Sequence, residues 1–218
     1  MAPTIARYTR SRRAARIAAR CLAVLGLGTP LAATAGAPAS TASAPLLGPE
    51  ARGFLDQGRE YARHEQWQAA IALYKNALDI NPALADAHFL LGVAYHQHRE
   101  PRKAVAALRR AGELNPASAR TFYNLGVAYA HTGEMAKEIA AYHQAIRIDP
   151  NHISAHYNLA TAYWAQGRDG MACGELYQAG RLYKEAGYTD QAREMLYLIQ
   201  RIAPDSAYRE QLAQVIRE

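Results

Sequence analysis

A chain of 218 residues, half of them apolar, is long enough to bury a sizeable core. Its formal charge of +6 is local: Arg7, Arg10, Arg12, Arg13, Arg16 and Arg20 lie in an acid-free stretch, and the 25 basic residues less these six leave 19 against 19 acidic ones. The body is neutral, so composition predicts no phosphate-tracking basic face and no nucleic-acid partner.

Residues 1–20 are rich in arginine. Cys21 to Leu31 is apolar, and Ala33-Thr34-Ala35 follows as an A-x-A site. That order predicts a secretory signal peptide over residues 1–35, and with it a periplasmic or secreted protein. The apolar run is about half of the ~20 residues that a membrane-spanning helix needs, and it carries Gly26, Gly28 and Pro30, so cleavage is favoured over an uncleaved anchor. Arg12-Arg13 matches a twin-arginine signal weakly, and a mitochondrial presequence ranks second. Residues 36–50, rich in Ala, Pro, Ser and Thr, read as a flexible linker.

From Ala51 the chain repeats itself. Phe89-Leu90-Leu91-Gly92-Val93-Ala94-Tyr95, Phe122-Tyr123-Asn124-Leu125-Gly126-Val127-Ala128-Tyr129 and Tyr157-Asn158-Leu159-Ala160-Thr161-Ala162-Tyr163 stand 34 residues apart. Counting from Ala51, Ala85, Ala119 and Ile153, position 8 is Gly58, Gly92, Gly126 and Ala160. Position 11 is Tyr61, Tyr95, Tyr129 and Tyr163, and position 27 is Ala77, Ala111, Ala145 and Ala179. Small residues at fixed places let two helices approach closely, while the tyrosines and the leucines at position 7 fill the space beside the crossing. Asn81-Pro82, Asn115-Pro116 and Asp149-Pro150 end helices, because proline lacks the donor and restricts its predecessor. Repeat four has Lys184 where the others have proline. Each repeat is therefore helix, turn, helix, turn.

Beyond Gly167 two registers compete: residues 171–186 serve as the second helix of repeat four, yet Leu176, Gly180, Tyr183, Gly187, Ala192 and Pro204 also fit a repeat that starts at Cys173. Helices are predicted near 171–186 and 189–202, and Ser206 to Glu218 is predicted to cap the stack.

The pattern W-x2-L-G-x2-Y, A-x3-F and P at this period resembles the tetratricopeptide repeat over residues 51–184. The resemblance implies an all-α solenoid of stacked antiparallel helix pairs, with repeats at 51–84, 85–118, 119–152 and 153–186 and an irregular last unit with a cap over 187–218. It implies a non-enzymatic scaffold of a bacterial envelope that holds an extended peptide or a partner helix in a concave groove. A self-associating scaffold and an enzyme with an unrecognised site are the other readings.

The first helices carry more apolar residues than one packing stripe needs. Phe89, Val93 and His96, Tyr123 and Val127, and Tyr157, Thr161 and Trp164 lie at positions 5, 9 and 12, which line the groove in the resembling family. Arg120, Asn124 and Asn158 stand beside them as donors. Tyr123, Tyr157 and Trp164 are the expected anchors of a segment laid along repeats two to four. The inner positions are mostly apolar or aromatic, which argues against the Lys, Arg and Asn carboxylate clamp of family members that bind chaperone tails.

No Gly-rich phosphate loop, G-x-S-x-G or H-E-x-x-H is present, and no catalytic residue or cofactor is predicted. His96 with His98, and His152 with His156, lack a third ligand at convincing spacing, so no metal is predicted. Cys173 reads as a small buried apolar residue. Glu138 replaces alanine at position 20, with Gly126 opposite expected to leave room for its stem and its carboxylate expected to reach water.

Overall fold

The computed structural model describes residues 48–218, so the expectations for the leader and for linker residues 36–47 lie outside the described residues. Among the described residues the fold is an all-α solenoid of helix pairs with no strand. The helices are α1 (Pro49–Arg63), α2 (Trp67–Ile80), α3 (Ala85–Gln97), α4 (Pro101–Leu114), α5 (Ala119–Thr132), α6 (Met135–Ile148), α7 (Ile153–Ala165), α8 (Asp169–Glu185), α9 (Thr189–Ile202) and α10 (Ala207–Arg217). No helix among the described residues is long and apolar enough to cross a membrane. Helix α1 begins two residues inside the expected linker. Pro49 sits at its start, where the missing N–H would have had no partner anyway.

The described chain divides into two compact units, one ending at Ile148 and one running from Asp149 to Glu218. In the first, α1 pairs with α2, α3 with α4 and α5 with α6, and α2 packs on α3 and α4 on α5. The crossing differs from the expectation in one respect. The glycine at position 8 faces a large side chain at position 24, not another small one. A Cβ on Gly58 would stand 2.5 Å from Tyr74, one on Gly92 2.5 Å from Leu108, and one on Gly126 2.5 Å from Tyr142. The large residues fill the groove that each glycine opens, and all three are buried. The space beside Gly126 therefore belongs to Tyr142, and Glu138 is only half-buried.

The turns repeat as closely as the helices. Position 15 takes a left-handed conformation in every repeat, at Glu65, Arg99, Gly133 and Gly167. Directly after it, the N–H of position 16 donates to the carbonyl of the position-11 tyrosine, as from Gln66 to Tyr61 at 2.9 Å and from Glu100 to Tyr95 at 2.8 Å. The turns between repeats close on their own side chains: the Oδ1 atoms of Asn81, Asn115 and Asp149 accept from the N–H groups of Ala83, Ala117 and Asn151 at 3.0, 3.3 and 3.0 Å.

In the C-terminal unit α8 packs against both α7 and α9, and α10 packs on α8 and α9. Both competing registers are satisfied at once. Ala172 and Ala179 are fully buried, as position 20 and position 27 of repeat four require. Gly187 is left-handed and Tyr188 donates to Tyr183 at 2.8 Å, as in a repeat that starts at Cys173. One helix serves as the second of one pair and the first of the next. It can do so because Lys184 stands where proline would have stopped it, letting α8 run to Glu185. The Lys184 ammonium donates to the carbonyl of Ile216 at 3.0 Å and so caps the far end of α10. Leu212, fully buried, is the residue of α10 that enters the core.

Candidate functional site

In the first unit the candidate residues come from α3 and α5. Val93, His96, Tyr123 and Val127 are half-buried. Phe89 is 7 % exposed, and the exposed Arg120 lays its guanidinium over that ring at 4.1 Å from the centroid. Phe89 thus supports Arg120 and is not itself open wall. Asn124 is 4 % exposed, and its amide donates to the Arg120 carbonyl at 2.8 Å, one turn back along its own helix. That bond corrects the expectation that Asn124 is a free donor for a peptide backbone. The Tyr123 ring lies 6.1 Å from the Tyr142 ring.

His96 meets a residue absent from the expected set, His131 of α5, edge to face at 4.7 Å between centroids. His131 Nδ1 lies 2.9 Å from the Val127 carbonyl, an acceptor, so the proton sits on Nδ1. Burial and the neighbouring His131 hold the His96 pKa below the ordinary histidine value. The His96 ring, which burial makes harder to charge, continues the apolar surface of Val93 and Val127.

In the C-terminal unit the candidates lie on α7. Asn158, Thr161 and Trp164 are half-buried, and the Thr161 hydroxyl donates to the Tyr157 carbonyl at 3.1 Å. Tyr157 is 4 % exposed and packs in a core with Ala160, Cys173 and Leu176. It is a core residue, which removes it from the accessible anchors. The other paired histidines are engaged locally: His98 with Glu100 at 3.1 Å, His152 accepting from the Ala155 N–H at 3.3 Å, and His156 with Glu175 at 2.7 Å. Among the described residues no group of three or more His, Cys, Asp or Glu is arranged to hold a metal. Cys173 is fully buried, and burial raises its thiol pKa.

Two candidate faces thus stand on first helices. One comprises Val93, His96, Arg120, Tyr123, Val127 and His131; the other comprises Asn158, Thr161 and Trp164. Sequence reasoning missed His131 because position 13 lies one residue beyond the expected stripe. Its spacing of i+4 from Val127 is the signal that was present.

Comparison with known proteins agrees with this geometry. Residues 58–98 match the family model described as TPR repeat, and residues 97–153 match the one described as tetratricopeptide repeat. No curated protein matches the sequence. Among solved structures, a crystal structure of MamA protein is similar with a TM-score of 0.64 and 21 % identity, over 77 % of this chain and 88 % of that one. A thermophilic TPR protein of Thermus thermophilus is similar with a TM-score of 0.52 and 19 % identity, over 77 % of this chain and 100 % of that one. The first TPR of Spaghetti (RPAP3), solved with an HSP90 peptide, is similar with a TM-score of 0.53 and 19 % identity, over 54 % of this chain and 94 % of that one. Identities this low speak for the fold alone. The two family models fall on the recurring 34-residue geometry, and residues 58–153 of this chain match the tetratricopeptide repeat.

Proposed function

We propose that the protein is a non-enzymatic scaffold of the bacterial envelope that holds an extended or helical segment of a partner protein against its first-helix faces. One observation carries this reading: on α3 and α5, Val93, Tyr123 and Val127 keep part of their apolar and aromatic surface open although they also pack, with Arg120 at the margin. Such a surface favours a partner segment with apolar side chains and an exposed backbone, since aromatic and arginine side chains dominate protein interfaces. The RPAP3 repeat, whose structure is titled as bound to a peptide, supports a peptide-sized ligand by analogy of fold. The envelope location rests on the signal-like leader and on the A-x-A site at residues 33–35.

The test uses photo-crosslinking groups placed at Val93, Val127 and Thr161, with Lys75 and Arg110 on second helices as controls, in cells that make the protein from its own leader. Crosslinks to one partner from the first-helix sites, lost in Tyr123→Ala and Trp164→Ala variants of unchanged helicity, are the expected result. Equal crosslinking from the control sites would remove these faces as the binding surface. Intact mass of the extracted protein checks the location, since cleavage after Ala35 leaves Gly36 first.

A further inference from the structure

His88 and His156 both occupy position 4 of their repeats. Each brings Nε2 to 3.0 Å from the carbonyl of the proline that ends the preceding repeat, Pro82 and Pro150 respectively. A carbonyl only accepts, so Nε2 carries the proton in both rings. Beyond that shared contact the two sites differ. Position 23 on the second helix is Ala107 in repeat two and Glu175 in repeat four, and Glu175 Oε2 lies 2.7 Å from Nδ1 of His156. A carboxylate is an acceptor too. With Nε2–H committed to Pro150, a neutral imidazole would turn a lone pair towards that carboxylate, and only the imidazolium satisfies both contacts. The His156 residue is 6 % exposed, which leaves little room for water to stand in for either partner.

We propose that the C-terminal unit carries a pH-operated clasp: the His156 imidazolium, gripped between Glu175 on α8 and the Pro150 carbonyl in the turn before α7, ties that turn and α7 to α8 and releases them when it loses its proton. The groups around it set the direction. Burial of the ring opposes its charge; the bond to Glu175, the Pro150 carbonyl and the carboxylate charge act the other way and prevail, although Arg181 on α8 subtracts from them. The net result is a pKa above the ordinary histidine value of 6.5. On its own helix, His152 accepts from the Ala155 N–H through Nδ1, and burial lowers its pKa, so it supplies no competing charge. Asp149, in the turn, acts on His152. A group whose pKa is raised by folding stabilises the fold fully below its unfolded value and loses that contribution as pH rises through the folded one. The clasp is therefore closed in acid and opens in the alkaline direction. Asn158, Thr161 and Trp164 ride on the same helix, so opening loosens the element that presents them.

Histidine 15N spectra of the full chain across pH test the clasp. Both nitrogens of His156 are expected to show imidazolium shifts through the ordinary histidine range and to titrate above it. In Glu175→Gln the titration should move down, because burial then acts without the carboxylate. In parallel, the urea midpoint of the C-terminal unit should fall as pH rises through the wild-type titration, and should lose that dependence in Glu175→Gln and His156→Gln. A His156 ring with unprotonated Nδ1 below the ordinary histidine range would overturn the proposal, as would an unchanged titration in Glu175→Gln. Should the variants fail to fold, the wild-type nitrogen shifts decide the matter alone.

Discussion

Tyr142, 1 % exposed, presses its ring into the notch at Gly126, and the notch exists only because position 8 has no side chain. A methyl there would meet Tyr142 Cε1 at 2.5 Å, and a buried ring has no free rotamer to retreat into. Gly126→Ala should therefore destabilise the first unit by about 1–3 kcal/mol in urea melts. Repeat four shows the remedy, since Ala160 there stands in register with Leu176 in place of tyrosine. Adding Tyr142→Leu to Gly126→Ala should recover part of the loss, and purely additive effects would show that the two residues are not coupled. Glu65 and Arg99 offer the opposite opportunity, being non-glycine residues at φ 57 and 62 in the turn where Gly133 and Gly167 stand in the later repeats. Replacing either with glycine relieves the clash at Cβ and is expected to stabilise by about 0.5–1 kcal/mol after the entropy of glycine is subtracted, read as a raised melting midpoint. Glu138 titrates abnormally because burial pushes its carboxyl up to about 7. An acid whose pKa is raised by folding favours the protonated native state, so stability falls as pH rises from the ordinary carboxylate range to about 7. Glu138→Gln should remove that slope and leave the protein about 1–2 kcal/mol more stable at neutral pH, the figure being reduced for the part of the side chain that water reaches.

At the scale of helices, most of the fold was legible because the period repeats what physics demands at each crossing and each turn. The tyrosines of position 11, the prolines of position 32 and the glycines of position 8 each mark one contact. Position 24 was harder to read, since it alternates Tyr74, Leu108, Tyr142 and Leu176, and only the structure shows the first three filling the notch at the glycine of position 8. Helix α8 was ambiguous in sequence because it belongs to two pairs, and Lys184 resolves the ambiguity twice, by not being proline and by capping α10. Lys184→Ala should leave the Ile216 carbonyl to water and cost about 1 kcal/mol, seen as faster hydrogen exchange over residues 207–217 with α8 unchanged. Unaltered protection of α10 would show that the packing of Leu212, Val215 and Ile216 holds it without this bond. The candidate site was less legible for a related reason. On α3 and α7, buried residues such as Phe89 with Leu91, or Tyr157 with Leu159, point in different directions around the helix. A pattern apolar on every side does not separate core from open wall. Tyr123 and Tyr157 occupy the same repeat position, yet one is half-buried and the other 4 % exposed.

At the scale of the whole molecule, charge discriminates between two kinds of partner. Beyond the six leader arginines the chain holds as many basic as acidic residues, so no net field draws a charged ligand from a distance. Many of the surface charges pair within their own helix, as Arg59 does with Asp56 at 2.7 Å and Arg193 with Asp190 at 2.8 Å. The face on α3 and α5 is built of Val93, Tyr123 and Val127 with two histidines in contact, one of them made hard to protonate by burial. Its cation, Arg120, is spread over the Phe89 ring and stands at the margin. Capture by such a surface draws on apolar contact, which added salt does not screen. Raising salt from about 0.1 M to about 1 M shortens the screening length from about 10 Å to about 3 Å, enough to suppress attraction between exposed charges. With the partner identified by crosslinking, its affinity is expected to change less than about threefold over that range by calorimetry, a difference under about 1 kcal/mol. A loss of tenfold or more, abolished by Arg120→Gln, would instead make Arg120 the principal contact and an acidic segment its ligand. The faces would then bind by charge, and Tyr123→Ala would matter less than Arg120→Gln.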